Sequence, residues 1–437
     1  DTITGSIGDD LILGGFGGDR INGGTENDIV LGDFGRVEFL NNQARYLTTT
    51  DKFEGGNDTI FGDENEDLLI GGAGADRIDG DGQRDMIFGD NVILDRIAGY
   101  GDLTDPRFRT MSSTQIYGDG VDTGAEGEAL VNSDANRDHS GYAVWQDWDV
   151  IWLDHDSATD TAGLNNFGND YIAGGGDQDV IFGQLGDDTI QGDGAIDSLV
   201  DLGIAYDALR LPDGSLSVTA SFEALTDGDD YIEGNGGSDV IFGNLGQDDI
   251  IGDNSDLYSL DTLDQRTPVG GDMIFGGAGI RIDRNEYIED RNGDGSVDTT
   301  DIALADRHSR DSDMILGDNG RIFRLMSLDG AVGGTTSALS FVYDGLDDNA
   351  TEHYDAMGRG AERIEVRAAD LIDYTLGGDD IDPANTLNDR GEADEIHGES
   401  GDDFIYGMVG NDVIFGGSED DDIIGGYGSE WISGGTG

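Results

Sequence analysis

Aspartate recurs along this chain at an interval of nine residues, and the residues around it repeat with it. In residues 174–191, Asp179 and Asp188 each end a Gly-rich run of six residues and precede three residues with an aliphatic centre. Carboxylate oxygens in a flexible Gly-rich loop are hard ligands that suit Ca²⁺ better than Mg²⁺ or a transition metal. The pattern therefore predicts calcium binding at many equivalent positions.

The same place in the repeat holds an Asp through most of the chain. A single turn of this kind is typically a solvated turn of Asp and Gly, but its recurrence in register favours a metal-bound array. Stacked without a cation, such aspartates would repel one another. The predicted ligands are Asp10, Asp19, Asp28, Asp58, Asp67, Asp76, Asp85, Asp170, Asp179, Asp188, Asp230, Asp239, Asp248, Asp272, Asp313, Asp403, Asp412 and Asp421.

The residues around each Asp predict how it is positioned. Glycines at the first, second and fourth places let the chain reverse within six residues. The three residues after the Asp form a short strand whose middle side chain points inward. One buried aliphatic side chain contributes about 2 kcal/mol, whereas ordering each residue costs about 1.5 kcal/mol. The core is too thin to stabilise the turns alone. The predicted inward residues are Ile12, Ile21, Val30, Ile60, Leu69, Ile78, Ile87, Ile172, Ile181, Ile190, Ile232, Ile241, Ile250, Ile274, Ile315, Ile405, Ile414, Ile423 and Ile432.

These units, written G-G-x-G-x-D-x-U-x with U aliphatic, resemble the RTX (repeats-in-toxin) family. The resemblance implies an all-β fold, a right-handed parallel β-roll (solenoid) in which two units make one coil and Ca²⁺ lies between successive turns on each edge. It covers roughly half of the residues, in several blocks. The chain departs from the pattern at four places: Glu430 replaces the Asp, Glu26 and Glu419 replace the fourth Gly, and residues 279–282 do not follow the repeat.

A second metal motif lies in residues 290–301. Oxygen-bearing side chains at places 1, 3, 5, 9 and 12, with Gly295 at place 6, fit the EF-hand loop, and the last place resembles that of a dockerin-type loop. An ordinary turn is the alternative, since the preceding segment has no clear helical pattern. The predicted ligands are Asp290, Asn292, Asp294, Ser296, Asp298 and Asp301.

Composition points the same way. The chain has 94 acidic and 23 basic residues, a formal charge of −71, which opposes nucleic-acid or anionic-membrane partners and disfavours any compact state without counter-ions. It has no Cys, so metal rather than disulfides would staple the fold. No apolar run has transmembrane length, so we expect no membrane insertion. Family resemblance implies type I secretion, with extracellular Ca²⁺ folding the chain after export.

The repeats come in blocks separated by excursions. A Gly-Asp phrase precedes most departures, at Asp33, Asp90, Asp193, Asp253 and Asp318, and Gly/Asp/Asn-rich phrases such as 55–58, 227–230 and 377–380 mark returns. The predicted order is a roll block at 1–35, a hairpin at 36–54, a roll block at 55–91, a long insert at 92–166, a roll block at 167–194, a hairpin at 195–226, a roll block at 227–254, a loop at 255–269, a coil at 270–279, the EF-hand-like insert at 280–311, a coil at 312–319, a long β-rich insert at 320–392 and a roll block at 393–437. We expect one continuous roll, because short blocks would leave many uncapped faces.

Bulky apolar residues at the ninth place predict an outward stripe on one sheet, with a polar stripe on the other, and hairpin excursions covering the apolar flank. This stripe comprises Leu13, Leu31, Phe61, Phe88, Phe182, Phe242, Phe275, Leu316 and Phe415. Trp145, Trp148 and Trp152 end the long insert; they fit a sugar-binding platform or, as is more usual beside a return point, an anchor for the insert.

No protease, esterase or phosphate-loop motif occurs, so we expect no catalytic residues and no enzyme. His155, between two aspartates, is the one catalytic candidate, against a polar surface His. The favoured function is a secreted or cell-surface structural or adhesive rod that binds calcium. The alternative is the repeat region of a secreted toxin or hydrolase whose catalytic domain lies outside this chain. Neither chain end has a polar cap, so we expect either a piece of a longer array or head-to-tail self-association into a filament, with matrix or cell-surface components as further partners.

Overall fold

A computed structural model of the chain describes residues 1–41, 43–96, 106–111, 148–155, 167–196, 205–224, 226–266, 269–280, 311–328, 336–338, 340–341, 364–374 and 389–436. Their regular structure consists of β-strands, with no helix among these residues. Each nonapeptide contributes one short strand, because its Gly-rich turn breaks the strand on both sides.

Two long parallel sheets form the body of the molecule. The first sheet has eleven strands, in spatial order Thr2–Thr4, Arg20–Thr25, Thr59–Glu64, Arg77–Asp79, Tyr171–Ala173, Thr189–Gln191, Val240–Phe242, Met273–Phe275, Glu395–Ser400, Val413–Ser418 and Trp431–Ser433. The second sheet has ten strands, Leu11–Leu13, Ile29–Leu31, Leu68–Ile70, Met86–Phe88, Val180–Leu185, Tyr231–Gly236, Asp249–Ile251, Met314–Leu316, Phe404–Tyr406 and Asp422–Ile424. The chain alternates between the two sheets, so two units make one coil of a parallel β-roll.

Strand pairing continues across every excursion without a change of register. Ile87 pairs with Ile181 although the long second excursion separates them. Ile274 pairs with Ile396 across the two last excursions. In both cases the middle residue of one triplet faces the middle residue of the next. The prediction of one continuous roll agrees with this pairing, and the excursions are lateral additions to it.

The middle residues of the strands form one continuous buried column between the two sheets. The column contains nearly all of the predicted inward residues, and Ile423 packs against it partly buried. Ile396, which the sequence analysis did not include, belongs to it as well. Ile432 pairs in register with Ile414 of the column, but its side chain is 47% exposed, because its strand has a neighbouring coil on one side only among the described residues.

The excursions form further sheets. One antiparallel sheet has the order Asp149–Trp152, Val92–Asp95, Gln43–Thr49 and Gly35–Leu40, so it joins the first and second excursions. In another, Gly320–Leu328 pairs with Phe108–Met111, Thr336–Ala338 and Arg367–Leu371. Three two-stranded pairs join Asp207–Arg210 to Leu216–Thr219, Ser340–Phe341 to Ile364–Glu365, and Val409–Gly410 to Tyr427–Gly428. The predicted hairpins in the first and third excursions are confirmed by this pairing.

Excursions cover parts of both outer flanks of the roll, which corrects the prediction of a single apolar flank. Phe88 and Phe182 lie on the second sheet, buried beneath Leu47 and Trp152 of the excursions. On the first sheet, Phe61, Phe242 and Phe275 are buried in a separate cluster with Tyr206 and Ala208. The physical reason is the alternation of half-coils. Phe61 and Phe88 are 27 residues apart (88 − 61), which is three half-coils, so they fall on opposite sheets.

The tryptophans serve as anchors where the structure describes them. Trp152 is buried, with its ring centroid 5.9 Å from that of Phe88 and 5.1 Å from that of Phe182, and its Nε1–H donates to the Tyr258 carbonyl at 2.7 Å. Trp148 is also buried, and Trp145 lies outside the described residues. This burial favours the anchor interpretation over a sugar-binding platform, which needs exposed rings.

A buried ion pair joins the last excursion to the roll. Arg324 Nε donates to Asp249 Oδ2 at 2.7 Å, and both side chains are almost wholly buried. Burial raises the pKa of Asp249, but the charges of Arg324 and Arg367 outweigh it and the pKa is lowered overall. Asp249 therefore stays ionised beneath the excursion that covers the second sheet.

A substitution tests the column as the core. Replacing Ile181 by Ala should lower the free energy of unfolding of the calcium-saturated chain by about 2–5 kcal/mol, because it leaves a cavity between the sheets. Urea denaturation followed by circular dichroism measures this change. The control is Leu209→Ala on the third excursion, 58% exposed, which should change the value by less than about 0.5 kcal/mol. Equal effects of the two substitutions would contradict the assignment of the core.

Candidate metal centre

The turns between the sheets stack into two edges of the roll, and a ladder of aspartates runs along each. At edge A, where the chain passes from the first sheet to the second, the ladder is Asp10, Asp28, Asp67, Asp85, Asp179, Asp230, Asp248, Asp313, Asp403 and Asp421. At edge B, where it returns, the ladder is Asp19, Asp58, Asp76, Asp170, Asp188, Asp239, Asp272, Asp394 and Asp412.

Each rung of a ladder is the same hydrogen bond. The backbone N–H of one aspartate donates to Oδ1 of the aspartate in the next coil, as from Asp76 to Asp170 at 2.8 Å and from Asp85 to Asp179 at 2.7 Å. This bond fixes the carboxylate in one orientation. All the nonapeptide aspartates predicted from the sequence lie in these ladders. Asp394 is an additional member, which the sequence analysis missed because a long excursion replaces the glycines that usually precede it.

The second carboxylate oxygen has a different environment. In most rungs Oδ2 is buried and accepts no hydrogen bond from the described residues. Burial of a carboxylate oxygen without a partner is costly, so these turns are incomplete in the absence of a cation. The aspartates with such an oxygen are Asp19, Asp28, Asp58, Asp67, Asp76, Asp170, Asp179, Asp188, Asp230, Asp239, Asp248, Asp272, Asp394, Asp403, Asp412 and Asp421.

Backbone carbonyls converge on the same space as these oxygens. A Cβ atom placed on Gly89 would lie 2.3 Å from both Asp170 Oδ2 and the Gly183 carbonyl oxygen of the next coil. Only glycine leaves this space open. Among the described residues no group of three or more acidic or His side chains converges on one point. An ion here would therefore combine carboxylate with carbonyl oxygens, a donor set that Ca²⁺ accepts and that fits the residues present.

Burial changes the acidity of the ladder. It raises the pKa of Asp58 and Asp272 to about 7 and that of Asp67 to about 9, and the backbone hydrogen bond to each carboxylate opposes the shift. Neighbouring aspartates of the ladder add to the increase, as Asp28 does for Asp67. The metal-free turns therefore hold protons near neutral pH, and a bound cation would displace them.

The departures from the repeat keep the turn geometry where the structure describes them. Glu26 and Glu419, at the fourth place, adopt φ of 78° and 76°, the left-handed conformation that Gly usually supplies. Asp28 and Asp421 of these turns remain in the edge A ladder. Asp313, after the irregular segment that begins at Gly279, also continues it. The aspartates of these turns therefore keep their places in the ladder, while Glu26 and Glu419 carry the backbone strain of a positive φ.

Two other predictions of the sequence have different outcomes. The EF-hand-like loop, with Asp290, Asn292, Asp294, Ser296, Asp298 and Asp301, lies outside the described residues and stays a prediction. His155 is buried, with its ring centroid 5.3 Å from that of Trp152, so the interpretation as a polar surface His is wrong. It packs in the anchor of the second excursion, and no metal cluster within the described part of the chain includes it.

The fold and the turns together define a class of protein, the parallel β-roll whose stacked turns bind calcium. The profile of the RTX calcium-binding nonapeptide repeat matches residues 1–36, 54–91, 165–199, 226–256, 384–414 and 406–437. These segments are RTX calcium-binding nonapeptide repeats, and through them the chain binds Ca²⁺ at multiple sites. No curated protein matches the chain. Its described residues contain no helix that is both long and apolar enough to cross a membrane.

The raised pKa values predict how calcium affinity depends on pH. Ladder carboxyls with a pKa of about 7, such as those of Asp58 and Asp272, would have to lose their protons before they could bind Ca²⁺. The affinity for Ca²⁺ should therefore decrease as the pH is lowered from about 8 to about 6. The metal-free chain should behave oppositely: a folded-state pKa above the unfolded value stabilises the fold at low pH, and this stabilisation is lost as pH rises through about 7.

Calcium titrations followed by circular dichroism at constant ionic strength test both statements. The midpoint calcium concentration should rise as the pH is lowered, while residual structure in chelator should increase. A midpoint independent of pH would show that the ladder carboxyls are already ionised before the metal binds.

Proposed function

We propose that this chain acts outside the cell as a non-catalytic, calcium-folded rod that carries its excursions as structural or adhesive surfaces. The observation that supports this most is the register of the roll, which passes every excursion unchanged. A rod of this kind holds its decorations at fixed intervals. The excursions can then vary in size without affecting the scaffold beneath them.

The charge of the chain supports a location where calcium is abundant. A net charge of −71 and two ladders of buried aspartates oppose the compact state until cations bind. Folding is then coupled to the free calcium concentration. Export as an unfolded chain through a type I system, followed by folding at extracellular calcium, uses this coupling directly.

The excursions supply the surfaces through which a rod can contact a matrix or another cell. They cover parts of both flanks, and Leu209 and Ile151 expose apolar side chains on them. Trp152 and Arg324 anchor the described parts of the second and the last excursion to the roll. Several anchored surfaces along one rod suit multivalent binding to a matrix or a cell better than they suit catalysis.

End-to-end contact between copies is a further part of this proposal. The strands Thr2–Thr4 and Trp431–Ser433 each pair on one side only within the described sheets. Trp431 and Ile432 expose apolar surface beside one of these open edges. An unpaired, apolar strand edge is a template for another strand, so a second copy can continue the roll.

Calcium-dependent folding is the first test. In chelator the chain should be expanded and lack β-structure, and added Ca²⁺ should produce a cooperative gain of β-sheet signal with a fall in hydrodynamic radius. Mg²⁺ at matched ionic strength is the control, because it screens charge but demands octahedral coordination. A compact chain at sub-micromolar Ca²⁺ would overturn the proposed folding after export.

Substitution at the open edge tests self-association. Trp431→Lys places a charge beside the unpaired strand, so the weight-average mass of the calcium-loaded chain should stay near the 46.3 kDa of one copy at concentrations where the unmodified chain associates. The matched control is Leu209→Lys, since Trp431 and Leu209 are 55% and 58% exposed and Leu209 lies on a lateral hairpin. Sedimentation at increasing protein concentration measures the mass. Equal loss of association in both variants would place the contact elsewhere.

A further inference from the structure

Five aspartates occupy one position in the roll, the second place of a turn from which the chain departs. They are Asp33, Asp90, Asp193, Asp253 and Asp318, here called the exit aspartates, and all are buried. Uninterrupted turns also carry Asp at this place, but Asp63 and Asp81 have φ of 76° and 70°. The exit aspartates are absent from the described residues with positive φ. Their backbone therefore differs from that of an uninterrupted turn at the same place.

The exit carboxylates take over a hydrogen bond that belongs to the backbone in other turns. In an uninterrupted turn, the N–H at the third place donates to the second-place carbonyl of the preceding coil, as Thr25 does to Ser6 at 3.1 Å. At three of the exits this N–H donates to the exit side chain instead. Ala73 donates to Asp33 Oδ2 at 2.7 Å, and Leu185 donates to Asp90 Oδ2 at 3.0 Å.

The same carboxylates reach the returning end of the excursion. The N–H of Gly228 donates to Asp193 Oδ1 at 3.1 Å, and that of Gly270 donates to Asp253 Oδ1 at 3.0 Å. Asp318 makes both kinds of contact, accepting from Glu392 at Oδ1 and from Val409 at Oδ2. At Asp33, Asp90 and Asp318 the exit side chain thus accepts the N–H that a second-place carbonyl accepts in another turn.

A further oxygen remains at four of these positions. Oδ1 of Asp33 and Asp90, and Oδ2 of Asp193 and Asp253, are buried and have no hydrogen-bond partner in the described structure. Accepting the backbone N–H thus leaves one oxygen of each carboxylate unsatisfied. A carboxylate held in this way still needs a positive group, which a bound cation would supply.

The ladder carboxylate of the same interrupted turn lies against the glycine that precedes the exit aspartate. Asp58 Oδ2 is 2.3 Å from the position of a Cβ on Gly32, the residue before Asp33. Asp170 Oδ2 is likewise 2.3 Å from the position of a Cβ on Gly89, the residue before Asp90. The other two turns repeat the arrangement. Before Asp193, Asp230 Oδ2 is 2.3 Å from the position of a Cβ on Gly192, and before Asp253, Asp272 Oδ2 is 2.4 Å from that on Gly252. Each of these turns therefore contains two buried carboxylates with an unsatisfied oxygen apiece.

We propose that the exit aspartates are additional calcium ligands, through which the ion of an interrupted turn binds both ends of the excursion. The exit carboxylate adds a charged oxygen ligand to the interrupted turn. The proposal rests on calcium binding by the repeats and is independent of the adhesive role. Because affinity for Ca²⁺ increases with the number of charged ligands, the interrupted turns are the tightest sites of the roll.

The substitution Asp→Asn separates metal binding from the hydrogen bond. The amide oxygen of Asn still accepts the backbone N–H, but the ligand charge is lost. In the full chain, Asp90→Asn and Asp193→Asn should each remove one tightly held ion, with an affinity loss at that site on the order of 10-fold. Native mass spectrometry in weak chelator counts the retained ions, and calcium titration calorimetry measures the affinities.

Asp81→Asn is the matched control, because Asp81 occupies the same place in an uninterrupted turn but is exposed. Its ion count and affinities should equal those of the unmodified chain. Asp90→Ala, which removes the acceptor as well, should lower stability further than Asp90→Asn. If a variant at Asp90 does not fold, Asp33→Asn, close to one end of the roll, gives the same measurement.

Unchanged ion counts and affinities in the Asn variants would overturn the proposal and leave the exit aspartates as hydrogen-bond clamps alone. A loss in Asp81→Asn equal to that in Asp90→Asn would overturn it as well, because it would reveal only a general effect of charge. Failure of the unmodified chain to bind Ca²⁺ is a separate result, which would contradict calcium-dependent folding itself.

Discussion

The interaction on which this structure depends is between stacked aspartates and the cations that neutralise them. One oxygen of each ladder carboxylate is fixed by a backbone N–H from the neighbouring coil, and the other points into a buried turn with carbonyl oxygens. Repulsion and loss of hydration oppose this arrangement until metal binds. Because the buried column supplies only one aliphatic side chain per unit, the balance between folded and unfolded chain lies in the turns rather than in the core.

The same arrangement explains why the roll accepts large excursions. In a solenoid each coil contacts only its neighbours, so an excursion has to satisfy only the turn that it leaves and the turn to which it returns. Asp170 still takes its place in the edge B ladder after the long second excursion, and Asp394 does so after the last one. The ladder is therefore continuous in space where it is interrupted in sequence.

The excursions also add what the repeat lacks, which is apolar burial. Stacked rings such as Phe88 on Phe182 and Phe242 on Phe275 stand on opposite flanks, and each pair lies under a different excursion. Aromatic side chains bury more area than the aliphatic residues of the column. Calcium and the excursions thus stabilise different parts of one coil, the turns and the outer faces.

The sequence by itself determined the β-roll, the inward column and nearly all of the ladder, since a nine-residue period is a local property that places Asp188 and Ile190 without knowledge of distant residues. It missed Asp394 and Ile396, because their unit follows an excursion and lacks the leading glycines. Only the tertiary structure decided which flank each excursion covers, that His155 is buried and that ladder carboxylates lie against the glycines that precede the exit aspartates. Those features depend on contacts between residues far apart in the chain, such as Asp90 with Leu185, and local spacing carries no information about such contacts.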